Sequence, residues 1–127
     1  LTGEKDFSDI PINTIVSLQD LEEIKETIKK VTIDQKLKKY ILDIVFKTRE
    51  QSDYIACGAS PRASISLVIA SKAAAFLDGR DFVMPQDIKK VIYDVLRHRL
   101  ILTYEAEAED KNVEDIIDDI LKTVILP

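Results

Sequence analysis

"CGASPRASIS", residues 57–66, sets a glycine, a Ser-Pro pair and an arginine where a long apolar run begins. The chain holds only three glycines and four prolines, so Gly58 and Pro61 together mark a conformational requirement. Proline suits the first helical position, because the N–H it lacks would have no intrahelical partner there. Ser60 then reads as the N-cap, Pro61 as the first helical residue, and Arg62 as standing on the first turn.

The helix that follows, over about 61–77, is apolar on nearly every side. Ala63, Ser66, Leu67, Ala70, Ala74 and Leu77 line one face, and Ile65, Val68, Ile69 and Phe76 fill much of the rest. Only Ser64, Ser71, Ala75 and Asp78 form a narrow small or polar stripe. Such a helix belongs in the middle of a bundle. Gly79 stands where a left-handed C-terminal cap is expected.

Working outward, the flanking segments read as helices too. Ser17 with Asp20 makes a capping box, followed by Leu18, Leu21, Ile24, Ile28 and Val31 at helical spacing. Asp34 opens a second helix whose stripe is Leu37, Tyr40, Ile41, Ile44, Val45 and Thr48. A helix restarts at Pro85 with Ile88, Val91, Ile92, Val95 and Leu96 inward, and Arg97, His98 and Arg99 sit at the negative end of its dipole. A last helix runs from about Asn112 to Thr123 through Ile116, Ile117, Ile120 and Leu121. "LILTY" (100–104) and "DFV" (81–83) could pair as a very short β-ribbon. The expected fold class is all-α, a compact bundle of about five helices.

Composition narrows the function. At 127 residues, 46% hydrophobic and 32% charged, the chain fits one globular domain. No apolar run approaches the roughly 20 residues that cross a bilayer, so no membrane insertion is expected. One cysteine leaves no internal disulfide and fits a reducing, cytoplasmic setting. The net charge is −5, and residues 105–119 hold eight acids against one lysine. That run reads as a solvated face or a partner-docking surface. No basic stripe suggests nucleic acid. The opening "LTGEKDFSDIPIN" reads as loop, and an excised piece of a longer chain is expected.

Chemistry of its own is sparse. No G-x-x-x-x-G-K-[ST] loop is present, and one Cys and one His give no metal-ligand spacing. His98 reads as a capping or packing residue, Cys57 as a small buried hydrophobe, and Tyr40, Tyr54, Tyr93 and Tyr104 as core or rim. No catalytic residue is expected in this chain. That leaves Arg62. The unpaired N–H groups of a helix start are already positive, so an arginine there is mildly unfavourable unless it meets an anion. Either Arg62 and the helix start form a phosphate site, or Arg62 pairs with an acid such as Asp53 or Asp81.

"GASPRA" (58–63), followed by "GRDFVMPQDIKKVIYDVLRHRL" (79–100), resembles the C-terminal lid of the MoxR family of AAA+ ATPases. "LKKYILDIVFKTRE" (37–50) and the hydrophobic tail Val124–Pro127 extend the likeness over about residues 15–127. The resemblance implies that Arg62 is the sensor-2 residue, reaching from the lid to the phosphates of ATP, with Ser60, Pro61 and Ala63 forming the helix start around it. It implies residues 1–16 as a linker from an N-terminal AAA+ core and 17–127 as the helical lid. ATP and Mg2+ would be cofactors of the parent ATPase. Its partners would be its own core, neighbouring subunits of a hexameric ring and an unspecified client of a chaperone-like activity. The family's Walker A, Walker B, sensor 1 and arginine finger have no counterpart here. Two other readings stand beside it. "VMPQDIKKVIYDVL" also resembles the end of a histone-fold-like, DNA-associated module, and the acidic C-terminal helix would suit a nucleotide-independent adaptor.

Overall fold

The computed structural model describes residues 7–127. The expected linker over 1–16 therefore lies in part, at residues 1–6, outside the described residues. After a 3-10 turn at Phe7–Asp9 come α1 (Leu18–Lys29), α2 (Gln35–Thr48), β1 (Ile55–Cys57), α3 (Arg62–Leu77) and α4 (Pro85–Leu96). β2 (Ile101–Leu102), α5 (Tyr104–Ala108) and α6 (Val113–Thr123) complete the chain. The fold is all-α, as expected, with six α-helices among the described residues rather than about five.

The start signals act as the sequence suggests. Ser17 N–H donates to Asp20 Oδ2 at 2.9 Å and Asp20 N–H to Ser17 Oγ at 3.0 Å. Asp34 caps α2 through Lys36 N–H at 2.8 Å, and Asn112 caps α6 through Asp115 N–H at 2.8 Å. The added helix, α5, is capped by Thr103, whose hydroxyl accepts from Ala106 N–H at 3.2 Å. Ala106 is fully buried, so one small residue anchors a segment whose acidic sequence reads as surface.

All six residues of the α2 stripe are buried. Its five apolar members meet Leu67 of α3, Ile88, Ile92 and Leu96 of α4, and Ile116, Ile117 and Ile120 of α6 in one core. α3 lies between α1, α2 and α4, the central position its all-round apolarity implies. Its inner face differs from the expected one. Ala63, Leu67, Ser71, Ala74 and Ala75 are buried, while Leu77 is exposed and Ala70 only half-buried. Ser71 and Ala75, read as an outer stripe, point inward because small residues let neighbouring helices approach. Ser71 Oγ is buried with no hydrogen-bond partner among the described residues, so its size rather than its hydroxyl serves the position.

α1 also departs from expectation: it has no buried residue, and Leu18 and Leu21 are exposed. The only fully covered member of its stripe, Val31, lies beyond the helix in the link to α2.

The ribbon exists with a different partner. β2 pairs antiparallel with β1, Ile55 opposite Leu102 and Cys57 opposite Ile101. "DFV" instead reaches the α1–α2 link: Thr32 N–H donates to Asp81 O and Val83 N–H to Thr32 O, both at 2.9 Å. The turn at Gly79 sends it there. Arg80 N–H bonds Ala75 O at 2.9 Å and Gly79 N–H bonds Phe76 O at 3.0 Å, the paired bonds of a Schellman cap. Gly79 has φ +77°, with open space where a Cβ would stand. Gly79→Ala is thus expected to cost about 1–2 kcal/mol from backbone strain alone, measurable as a lower urea midpoint with an unchanged slope.

Candidate functional site

The loop before α3 is fixed by the end of α2. Thr48, the last residue of α2, is fully buried. Its hydroxyl donates to Val45 O at 2.6 Å and accepts from Ala59 N–H at 3.1 Å. Arg49 Nη1 donates to Ala59 O at 3.0 Å. Both backbone groups of Ala59 are thereby held by consecutive residues of α2's C-terminal end. Between them the chain passes so close that a Cβ on Gly58 would lie 2.3 Å from Thr48 O, 2.7 Å from Thr48 C and 2.9 Å from Arg49 Cα. Glycine is needed here for approach, not for a positive φ.

From that anchor the chain turns directly into α3. Pro61 has helical angles, φ −56° and ψ −23°, but stands at the N-cap of α3, one position earlier than expected, with Arg62 the first helical residue. Ser60 enters differently from expectation. Its carbonyl accepts from Ala63 N–H at 2.9 Å, but its hydroxyl caps no N–H of the helix. The tight first turn takes that N–H instead. Ser64 Oγ donates to Pro61 O at 2.6 Å. Ala63 is fully buried beside the core residues, so Arg62, one position earlier, is turned outward.

Arg62 is exposed and forms no hydrogen bond or ion pair among the described residues. Neither Asp53 nor Asp81 pairs with it. Ile65 and Ile69, three and seven positions on, continue its stripe along α3 and are both about 60% exposed, at 61% and 59%. A lone guanidinium at a helix start thus adjoins an uncovered apolar stripe. It suits a planar anion such as phosphate. No group of three or more His, Cys, Asp or Glu among the described residues could hold a metal ion.

The other candidates resolve differently. Cys57 is exposed rather than buried, because it closes the short ribbon at the surface. Tyr40 is core and Tyr54 and Tyr93 are rim, but Tyr104 is 91% exposed. His98 is exposed, its Nε2 2.9 Å from Arg99 Nη1. Arg99 Nη1 donates to Val95 O at 2.6 Å, which satisfies a carbonyl at the end of α4 as the dipole argument anticipates. Five of the eight acids in the run have internal partners, Asp115 through the Asn112 N–H at 3.2 Å. Tyr54 Oη donates to Glu109 at 2.7 Å, Tyr93 Oη to Asp118 at 2.5 Å, Arg97 to Glu114 at 2.5 Å and Lys111 to Asp119 at 3.2 Å. The phenols of Tyr54 and Tyr93 are pushed upward, first by those carboxylate bonds and then by burial. A cavity of about 530 Å³ between the end of α2 and α6, lined by Lys47, Tyr54 and Ile120 among others, excludes the Arg62 loop. No described helix is long and apolar enough to cross a membrane.

Comparison with known proteins agrees with the motif. The AAA lid domain family model matches residues 47–120, and the chain belongs to that family. It is 40% identical over 121 residues to Chaperone MoxR1 of Mycobacterium tuberculosis, covering 89% of this chain and 32% of that protein. It is 36% identical over 120 residues to the uncharacterized protein YeaC of Bacillus subtilis, covering 92% of this chain and 37% of that one. A crystal structure of a proposed ATPase from Cytophaga hutchinsonii superposes with a TM-score of 0.83 at 45% identity, covering 94% of this chain and 40% of that one. The chain thus spans about a third of the length of the curated relatives it matches.

Thr48 and Arg49 were not legible as site residues. Their signal was present in Gly58, which demands a close neighbour without naming it.

Proposed function

We propose that this chain is the lid of a MoxR-type AAA+ ATPase and that Arg62 is its sensor-2 arginine, meeting the phosphates of ATP bound in the adjoining core. The observation that carries the reading is an exposed arginine at the start of α3 without a carboxylate partner among the described residues, on a stripe continued by Ile65 and Ile69. In this reading residues 17–127 are the lid and 1–16 lead from the core. The uncovered apolar surface meets the core or a neighbouring subunit of a ring, hexameric as in the family. The work is chaperone-like, as the name of MoxR1 suggests, and cytoplasmic.

ATP with Mg2+, bound by the parent ATPase, supplies the phosphoanhydride that is cleaved. This chain's part is to orient and sense. Arg62 donates a fork of N–H groups to phosphate oxygens, and the N–H groups of the helix start add a parallel field. When the terminal phosphate leaves, Arg62 loses its partner and the lid is free to rotate against the core.

Magnitudes set what the lid does alone. One charge-assisted contact is worth about 1.5–3 kcal/mol and a helix start roughly 0.3–1. Together they fall short of the ~4.1 kcal/mol of a millimolar dissociation constant. The isolated chain is expected to bind ATP at millimolar strength or weaker and to hydrolyse none. In the parent ATPase, Arg62→Ala is expected to lower turnover at saturating ATP by about 10- to 100-fold, the same contact expressed as a rate. Wild-type turnover with unchanged lid motion would overturn the assignment.

A further inference from the structure

We infer that Thr48 and Arg49 are positioning residues for Arg62, holding the loop that aims it at phosphate. The inference rests on the reading of Arg62 above and adds what fixes its direction. Ala59 has its N–H on Thr48 Oγ1 at 3.1 Å and its C=O on Arg49 Nη1 at 3.0 Å. Both bonds come from outside the loop and are consecutive along α2. Thr48 is itself tied down, being fully buried with its hydroxyl donating to Val45 O. Gly58 lies in contact with the Thr48 carbonyl, so the loop cannot shift toward α2.

On the far side, Pro61 fixes one backbone angle and Ala63 is locked in the core. The two residues between Ala59 and Arg62 therefore leave little freedom. An exposed arginine at the end of a helix ordinarily seeks an acid. Glu50 beside it is taken by Lys47 at 2.8 Å, and Arg49 serves a neutral carbonyl instead.

Position matters because a charge-assisted fork to phosphate is directional, and a displacement of about 1 Å can forfeit much of it. If α2 shifts within the lid, the same two bonds carry the shift to Arg62.

The test uses the whole chain, with backbone relaxation by NMR and the chemical shifts that millimolar ATP induces at residues 62–64. Thr48→Val keeps the shape and removes the hydroxyl, whereas Thr48→Ser restores it. Arg49→Ala removes the second bond at an exposed position, where folding is not at stake. In Thr48→Val and Arg49→Ala the order parameters of residues 59–62 are expected to fall from the roughly 0.85 of rigid backbone toward the range below about 0.6, with loss of the ATP-induced shifts. Thr48→Ser is expected to recover both.

A loop that stays rigid in both variants would overturn the clamp. A loop that loosens while the ATP-induced shifts persist would overturn its role in aiming Arg62. If Arg62→Ala itself keeps those shifts, the inference falls with its premise, and loosening in Thr48→Val then locates the fault in the reading of Arg62 rather than in the clamp.

Discussion

Asp87→Ala is expected to destabilise the chain by about 3 kcal/mol, at the lower end of what breaking a buried ion pair costs. Asp87 is 3% exposed on the first turn of α4. Arg80, just past the end of α3, grips it with both arms, Nη1 to Oδ2 at 2.7 Å and Nη2 to Oδ1 at 2.6 Å. Met84 N–H also donates to Oδ2 at 2.7 Å, so the same carboxylate satisfies the start of α4. Removing it leaves a largely covered guanidinium and an N–H without an acceptor. The loss is held to the lower end because Arg80 keeps Asp78 at 2.9 Å and the Phe82 carbonyl at 3.1 Å. Asp78 is itself 60% exposed in its side chain, so Asp78→Ala is expected to cost less than about 1 kcal/mol. Urea unfolding of both variants separates the two sizes of effect.

The same pair sets a pH dependence. The Arg80 bonds hold the Asp87 carboxyl below its ordinary range, against the opposing effect of burial. The unfolded chain therefore takes up this proton at a higher pH than the folded one. The stabilisation is complete above about pH 4–5 and is lost as pH falls through the depressed folded value. Asp87→Asn is expected to flatten that acid limb while leaving the neutral-pH fold in place. An unchanged acid limb would mean that other carboxylates govern it.

How much could be read in advance follows from what each signal measures. The α2 stripe was legible to the residue because a helix with one wet face reports its orientation through periodicity. α3 was legible as central but not in its rotation: apolar on every side, it carries no directional signal, and Ser71 and Ala75 turn inward for their size. α1 misled in the opposite way, since its periodic stripe is real but Leu18 is left 83% exposed and Leu21 41%. The Arg80–Asp87 pair spans a turn whose path only the fold supplies. At the candidate site, Pro61 and Arg62 could be placed to within one position from local rules, because helix starts are local chemistry. Thr48 and Arg49 could not, because their partner lies about ten residues away across a ribbon strand.

Gly58 is where that missing information is stored, and Gly58→Ala tests it. A methyl group there would meet Thr48 O at 2.3 Å, about 1 Å inside ordinary contact. The obstacle is backbone at the buried end of α2, which has no rotamer to change, so the loop must move. Moving it strains the bond from Ala59 N–H to Thr48, and an N–H left buried without an acceptor costs about 1–3 kcal/mol. Overpacking adds about 1–3 kcal/mol more, so a total of about 2–6 kcal/mol is expected. This exceeds the cost at Gly79, where the space is open and only φ resists. The two glycines thus separate crowding from backbone strain. Double-mutant analysis makes the distinction sharp. With Thr48→Ser the obstructing carbonyl remains, so the Gly58→Ala penalty should persist. With Thr48→Val the hydrogen bond is already absent, so the penalty should shrink by the share owed to Ala59. If Gly58→Ala costs no more than Gly79→Ala in every background, the loop does not rest on α2, and the path by which Arg62 is held must run elsewhere.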